Sequence, residues 1–270
     1  MLHKLSERKA KHIRSLSTSK MRKKYGEYLV EGFSLVEEAL GRPRDVRLVA
    51  VANSMLERAT LILDICEAKA IPVFTVNDSE FPDLATTVTP QGVLAVVDRN
   101  IDMARKLFME ALEKDISYIV YLDGIQDPGN MGAIIRSAEA VGASAILAGE
   151  NTVQITNPKV IRGSMGAFFH IPVVEHKEIG MGVNAIKKYG FTVSTTLISP
   201  QATDIWEYEP PKKIMMVFGN EAHGISFDII DKADDMVTIP IDGKSESFGV
   251  TASASIISAV IRNRHKRMVE

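Results

Sequence analysis

The chain has 270 residues, 46% of them apolar and 24% charged, with a net charge of −2, which suits a globular protein with room for two domains. No apolar run approaches the roughly 20 residues that span a bilayer. The basic, polar start MLHKLSERKAKHIRS has no apolar stretch behind it, so a membrane protein and a secreted one are both disfavoured, and the cytoplasm is the expected location.

Residues 1–24 come first and are the most uneven part of the chain. They carry Lys4, Arg8, Lys9, Lys11, Arg14, Lys20, Arg22, Lys23 and Lys24 against Glu7 alone, a net +8 that leaves −10 for the remainder. Such a block is the electrostatic footprint of phosphate contact, and equally that of a solvated, poorly ordered tail. YLVEGFSLVEEAL follows with helical spacing of its apolar residues. Next come a strand RLVAVA, a helix over 56–68, a strand IPVFTV, a short helical turn in SEFPDLATT and a strand QGVLAVVD. Cys66 falls on the buried side of the helix over 56–68 and reads as core packing; a single cysteine makes no intramolecular disulfide. Residues 1–98 are thus expected to form a small α/β/α layered domain, and residues 99–114 a helical linker.

From residue 115 to 270 strands and helices alternate. The strands are YIVYLD, SAILAG, IPVVE, FTVSTTL, KIMMVFG and MVTIP. The helices are MGAIIRSAEAVG, PKVIRGSMGAFF, VNAIKKYG, FDIIDKA and a last one from about Thr251 to Arg267. This pattern predicts a mainly parallel sheet covered on both faces, with ligands at the carboxyl ends of the strands.

Three loops at such ends are rich in Gly, Asn, Glu and Ser. In LDGIQDPGNMGAIIR, Pro128 and Gly129 turn the chain and Asn130 suits a helix N-cap. Arg136 lies off the apolar stripe of the helix that follows, placed for a phosphate or substrate or for an ordinary surface salt bridge. In VFGNEAHGIS, two glycines permit close backbone approach to a ligand, and Glu221 between them can accept hydrogen bonds. In TIPIDGKSESFGVTASASI, Asp242 and Gly243 form a turn, and the small hydroxyl residues after it are more often caps than catalysts. Neither GxGxxG nor GxxxxGK[ST] is present, which argues against a nicotinamide-nucleotide enzyme. The six histidines show no ligand spacing, so no metal is expected.

These three blocks, in this order, resemble the SpoU/TrmH branch of the SPOUT methyltransferases. PKVIRGSMGAFFHIPV is similar to that family's Arg-x-Ser-x-Gly segment, here Arg162, Ser164 and Gly166. The basic arm with YLVEG, and PQGVLAVV before the linker, resemble the ribosomal-protein-like (L30e-like) substrate domain of its two-domain rRNA-modifying members.

The resemblance implies a C-terminal trefoil knot, a homodimer formed through the knotted domain, and S-adenosyl-L-methionine-dependent methylation of an RNA ribose 2′-hydroxyl. The RNA is expected to be 23S rRNA in preference to tRNA. It also implies a catalytic set of Asn130, Arg136, Glu221 and Ser247. The cofactor would lie against groups at Thr195, Gly219, Asn220, Gly224, Ile239, Ile241, Phe248 and Gly249, held largely by main chain. Lys9, Lys11, Arg14, Arg22, Lys23, Lys24 and Arg162 are the expected RNA contacts. Arg136, a poor base, is expected to orient the hydroxyl and stabilise the developing alkoxide while phosphate or solvent takes the proton.

One departure stands out. The family usually reads Ser-Leu-Asn-Val where this chain has Ser247-Phe248-Gly249-Val250. The missing amide at 249 implies a slow enzyme whose turnover Asn would raise, and it motivates the alternative of a catalytically silent RNA-binding protein.

Overall fold

The computed structural model describes residues 2–42, 46–180 and 182–268. The chain divides into two compact units, Met1–Asn100 with Thr156–Phe169, and Ile101–Ile155 with His170–Glu270.

The first unit starts with strand β1 (Leu2–Lys4) and the basic segment, which is folded as two helices, α1 (Glu7–Ser15) and α2 (Ser19–Tyr25). Ser6 caps α1 by accepting from the Lys9 N–H at 3.4 Å, and the buried Ala10, Ile13 and Leu16 pin it to the core. Gly26, at φ 67°, ends α2. There follow β2 (Glu27–Glu31), α3 (Phe33–Gly41), β3 (Val46–Ala52), α4 (Thr60–Ala68), β4 (Val73–Val76) and β5 (Val93–Asp98).

The sheet order is β1-β4-β3-β5-β2, with β5 antiparallel to both neighbours. The expected helix from Tyr28 is therefore corrected: Tyr28 to Glu31 pair with β5, and the helix begins only at Phe33, after Gly32 turns at φ 96°. Tyr28, Leu29 and Val30 are all buried. A strand covered on both faces has no period of two, and its apolar run merged with that of the helix.

The second unit opens with α5 (Ile101–Glu113) and continues through β6 (Ser117–Asp123), α6 (Pro128–Val141) and β7 (Ala145–Ala148). The chain then passes into the first unit as α7 (Pro158–Gly163) and returns through β8 (Val173–Glu175), α8 (His176–Ile179), α9 (Val183–Lys187), β9 (Thr192–Thr196) and β10 (Thr203–Asp204). It closes with β11 (Lys213–Gly219), α10 (Phe227–Ile230), β12 (Asp235–Thr238) and α11 (Val250–Arg267).

All seven strands of this unit are parallel, in the order β10-β12-β9-β11-β6-β7-β8, as the alternation predicts. Phe108, Ile119, Leu147, Val193, Met215 and Val217 fill one side of the sheet. α11 packs on α6, where Ser137 and Ser255 share a hydrogen bond of 2.8 Å, and reaches the sheet through a 2.6 Å bond between Ser258 and the buried Tyr118.

The helix expected over 158–169 breaks after Gly163, because Met165 (φ 51°) and Gly166 (φ 94°) turn the chain left-handed before a 3-10 turn at Ala167–Phe169. This segment lies inside the range read from sequence as one domain, yet it packs with the first unit. Phe168 sets its ring edge against Tyr28 at 6.0 Å, and Arg162 Nη1 donates to Thr86 Oγ1 at 3.2 Å.

Candidate active site

The parallel order places the carboxyl ends of β6, β9, β11 and β12 at one end of the second unit's sheet, and the three motif loops leave from there. The first loop enters α6 with Asp127 as its N-cap, accepting the Asn130 N–H at 2.8 Å, and Pro128 at the first helical position. Asn130 is thus inside the first turn and not the cap expected from sequence, which leaves its carboxamide for other work.

The second loop is a closed backbone ring. Asn220 and Gly224 exchange N–H···O bonds of 2.9 and 2.8 Å. A Cβ at Gly219 would meet the Gly224 carbonyl carbon at 2.4 Å, so no side chain fits there. The Asn220 side chain donates to the Gly124 carbonyl at 2.8 Å and accepts from the Ala222 and His223 N–H groups at 2.8 and 3.0 Å. Asp123 accepts the Ser226 N–H at 2.7 Å. The first and second loops are therefore fastened together by groups whose polar bonds are internal. The third loop reaches α11 through Gly249, whose N–H lies 3.4 Å from Ser247 Oγ.

These loops bound a cavity of about 260 Å³. Gly219, Asn220, Glu221, Gly224, Ile239, Ile241, Ser247, Phe248 and Gly249, all singled out in the sequence, line it. Thr195 does not: its side chain is buried and donates to the Asp235 carbonyl at 3.3 Å, while its neighbour Thr196 faces the cavity. Sequence reading missed Leu197, Ile198, Phe218, Val237 and Ile257 on the apolar wall. Leu197 and Ile198 were findable as residues just beyond a parallel strand; Phe218 and Ile257 sit in apolar runs that look like ordinary core. Glu221 is the one ionisable side chain among the described lining residues.

At the mouth, Asn130 Nδ2 donates to the Glu221 carboxylate and its Oδ1 accepts from the Thr251 hydroxyl at 3.2 Å. One carboxamide thus joins all three motifs. Arg136 is not brought to the cavity. It is exposed on α6, six residues and about 9 Å along the axis from Asn130, with no ion pair among the described residues.

Residues 117–259 match the SpoU rRNA methylase family, and residues 7–95 match the MRM3-like substrate binding domain. The chain belongs to the SpoU rRNA methylase family. The reaction class that its three motifs imply, 2′-O-methylation of RNA with S-adenosylmethionine, is this family's chemistry and holds for the chain. It is 31% identical over 252 residues to the 23S rRNA (guanosine(2553)-2′-O)-methyltransferase RlmP of Bacillus subtilis, covering 92% of this chain and 94% of that one. A protein of Porphyromonas gingivalis assigned to the TrmH family of RNA methyltransferases has a similar structure, with a TM-score of 0.79, 27% identity and 96% and 99% coverage. The AdoMet-bound rRNA methyltransferase of Sinorhizobium meliloti shares the fold, with a TM-score of 0.82 over 97% and 98% of the chains at 22% identity.

In this SpoU methylase the basic helices of the first unit hold their cations in different settings. Lys9 lies over the Phe74 ring at 5.2 Å and Lys24 over Tyr25 at 5.4 Å, Arg14 pairs with Glu7, and Lys11 and Lys23 are exposed without an ion pair among the described residues. Arg22 is the exception to the expected set of RNA contacts. It is only 4% exposed, and its Nη1 donates to the carbonyls of Leu16 at 3.0 Å and Ser17 at 2.8 Å, so it ties the end of α1 to α2 and is turned away from solvent. Burial also lowers its pKa. No helix among the described residues is long and apolar enough to cross a membrane.

Proposed function

We propose that this SpoU methylase modifies a 2′-hydroxyl of 23S rRNA in the cytoplasm, as a homodimer formed through a knotted second unit, with the first unit as the RNA reader. The rRNA assignment is supported by the similarity to RlmP over nearly the whole of both chains. A substrate-binding match over 7–95, carrying the basic α1 and α2, supports the reader role.

The observation that carries the reading is the junction of Asn130 with Glu221 at the mouth of a mostly apolar cavity. The cavity fits S-adenosylmethionine by its chemistry. Apolar walls suit an adenine ring, backbone groups of Gly219, Ile239, Ile241 and Phe248 suit its polar edge, and the lone carboxylate of Glu221 suits a cofactor bearing a sulfonium. The cofactor, when bound, supplies an electrophilic methyl group.

The protein's part is to hold the ribose and manage one proton. Asn130 has one N–H and one oxygen lone pair beyond its two internal bonds, enough to grip a ribose hydroxyl. Arg136, exposed outside the cavity and without an ion pair among the described residues, is open to the RNA, where it would orient the 2′-oxygen and stabilise the charge that develops on it; phosphate or solvent accepts the proton because a guanidinium does not. Holding the oxygen in line supplies up to roughly 7 to 11 kcal/mol of the barrier reduction in well-oriented systems. Ser247 closes the cavity beside Phe248. On the RNA side, Lys9, Lys11, Arg14, Lys23, Lys24 and Arg162 contact phosphates.

The test is transfer of labelled methyl from S-adenosylmethionine to unmodified 23S rRNA, giving a nuclease-resistant 2′-O-methyl nucleotide. Label on tRNA alone would overturn the rRNA assignment, and label on a base would overturn the reaction.

A further inference from the structure

We propose that Thr251 is a positioning residue that fixes the Asn130 carboxamide. The proposal rests on the reading of Asn130 as a substrate-gripping residue.

The geometry leaves one consistent arrangement of donors. The Glu221 carboxylate only accepts, so Asn130 must turn its NH2 toward it. The oxygen of the same amide then faces Thr251, whose hydroxyl has to donate across 3.2 Å. With both bonds made, the amide is held at opposite ends and cannot rotate about its Cβ–Cγ bond. With Glu221 alone it pivots on one bond, and the free N–H and lone pair meant for a ribose sweep through an arc.

Among the described residues no other side chain donates to that oxygen. Gly249 offers none, and space for 4 Å around its missing Cβ is open. Thr251 itself is rigidly mounted in the first turn of α11, where Val250 and Ala254 are buried on either side and Ser255 ties the helix to α6. It does not line the cavity, so it acts on the chemistry only through Asn130.

The experiment uses the full chain with Thr251→Val, which keeps the shape and removes the donor, Thr251→Ala as a second such variant, and Thr251→Ser, which restores the hydroxyl. Loss of one hydrogen bond predicts that Val and Ala lower the single-turnover rate about 3- to 10-fold, and that Ser returns it to near the wild-type rate. Because Thr251 is off the cavity, cofactor affinity by calorimetry is expected to stay within about twofold.

A second readout needs no turnover. In ¹⁵N spectra the Asn130 side-chain amide, identified by its absence in Asn130→Asp, is expected as a sharp, slowly exchanging pair in wild type and Thr251→Ser, and broadened in Thr251→Val and Thr251→Ala. Unchanged rate and unchanged amide signals in the Val variant would overturn the proposal, as would a rate loss that Ser fails to rescue. If wild type transfers no methyl at all, the functional reading falls, and the amide spectra still decide whether Thr251 holds Asn130.

Discussion

Gly249 invites a decisive substitution, because sequence and structure explain it differently. By resemblance it is a missing amide, so Asn would raise turnover. In the structure its backbone stands at φ 71° and ψ 150°, outside the left-handed helical well that Asn tolerates and inside territory used almost only by glycine. A Cβ there meets nothing within 4 Å, so the cost of Gly249→Asn is backbone strain and not collision, about 1–3 kcal/mol if the loop holds its shape. Nothing offsets it: a side chain caps a helix from an extended backbone, which this position lacks. For a chain of this size each kcal/mol moves Tm by roughly 2–4 °C, so a fall of about 2–12 °C is expected. If the loop relaxes instead, Ser247 and Phe248 move with it and the cavity they line is deformed, so cofactor affinity falls while Tm recovers. Thermal melts and calorimetric titration with S-adenosylmethionine, run together on wild type and Gly249→Asn, separate the two routes. A variant with unchanged Tm and equal or tighter binding would refute the strain argument and revive the missing-amide reading.

Arg136→Ala is expected to abolish transfer and leave cofactor affinity within a few-fold, since the guanidinium is exposed and off the cavity; near-wild-type turnover would remove Arg136 from the mechanism. Lys11→Ala should lower the slope of log K against log salt for RNA binding by roughly 0.7 to 0.9 if Lys11 neutralises a phosphate. Arg22→Ala should leave that slope alone and lower Tm, because it strips the buried Leu16 carbonyl and the part-buried Ser17 carbonyl of this donor. His265 gives a pH signature. Its ring is buried, Nε2 meets the Pro211 carbonyl at 2.9 Å and Nδ1 has no partner among the described residues; burial lowers its pKa, the Pro211 bond opposes this, and the charge of Arg262 adds to it. The unfolded chain therefore takes up the proton first as pH falls, so this group's stability is full above about pH 6.5 and is lost below it. His265→Gln should flatten Tm measured from about pH 7.5 to 5.5, and an unaltered slope would contradict the assignment.

How much of this was legible in the sequence follows from the physics of each signal. The parallel sheet was readable because alternating strands and helices admit few other solutions, and the motif loops because Gly219 to Gly224 and Ser247 to Gly249 break sharply from apolar runs. β2 was not, since a strand buried on both faces carries no alternation. Arg22 was misread because charge counts are blind to burial, and nothing in MRKKY marks which cation turns inward. Thr251 was invisible for another reason: its partner lies 121 residues away, and a hydroxyl in a first helical turn looks like helix-end decoration until the fold brings Asn130 to it.

Arg162 falls, by sequence, in the catalytic half of the chain. Its segment packs with the first unit, and Thr86, which accepts its guanidinium, also donates to the buried Glu31 on β2. Ser164 closes on the Ile161 carbonyl at 2.7 Å, and the left-handed pair Met165 and Gly166 then turns the chain so that Phe168 reaches Tyr28. The Arg-x-Ser-x-Gly pattern is thereby explained as a local fold: a short helix, a buried hydroxyl stop and a glycine turn that together seat one arginine on the substrate-binding unit. A chain cut before residue 99 would keep this segment and lose its seat, leaving Phe168 and Ile161 without the partners that bury them. The two units are therefore not separable at one point in the sequence, and whatever RNA contact Arg162 makes belongs to the unit that also carries α1 and α2.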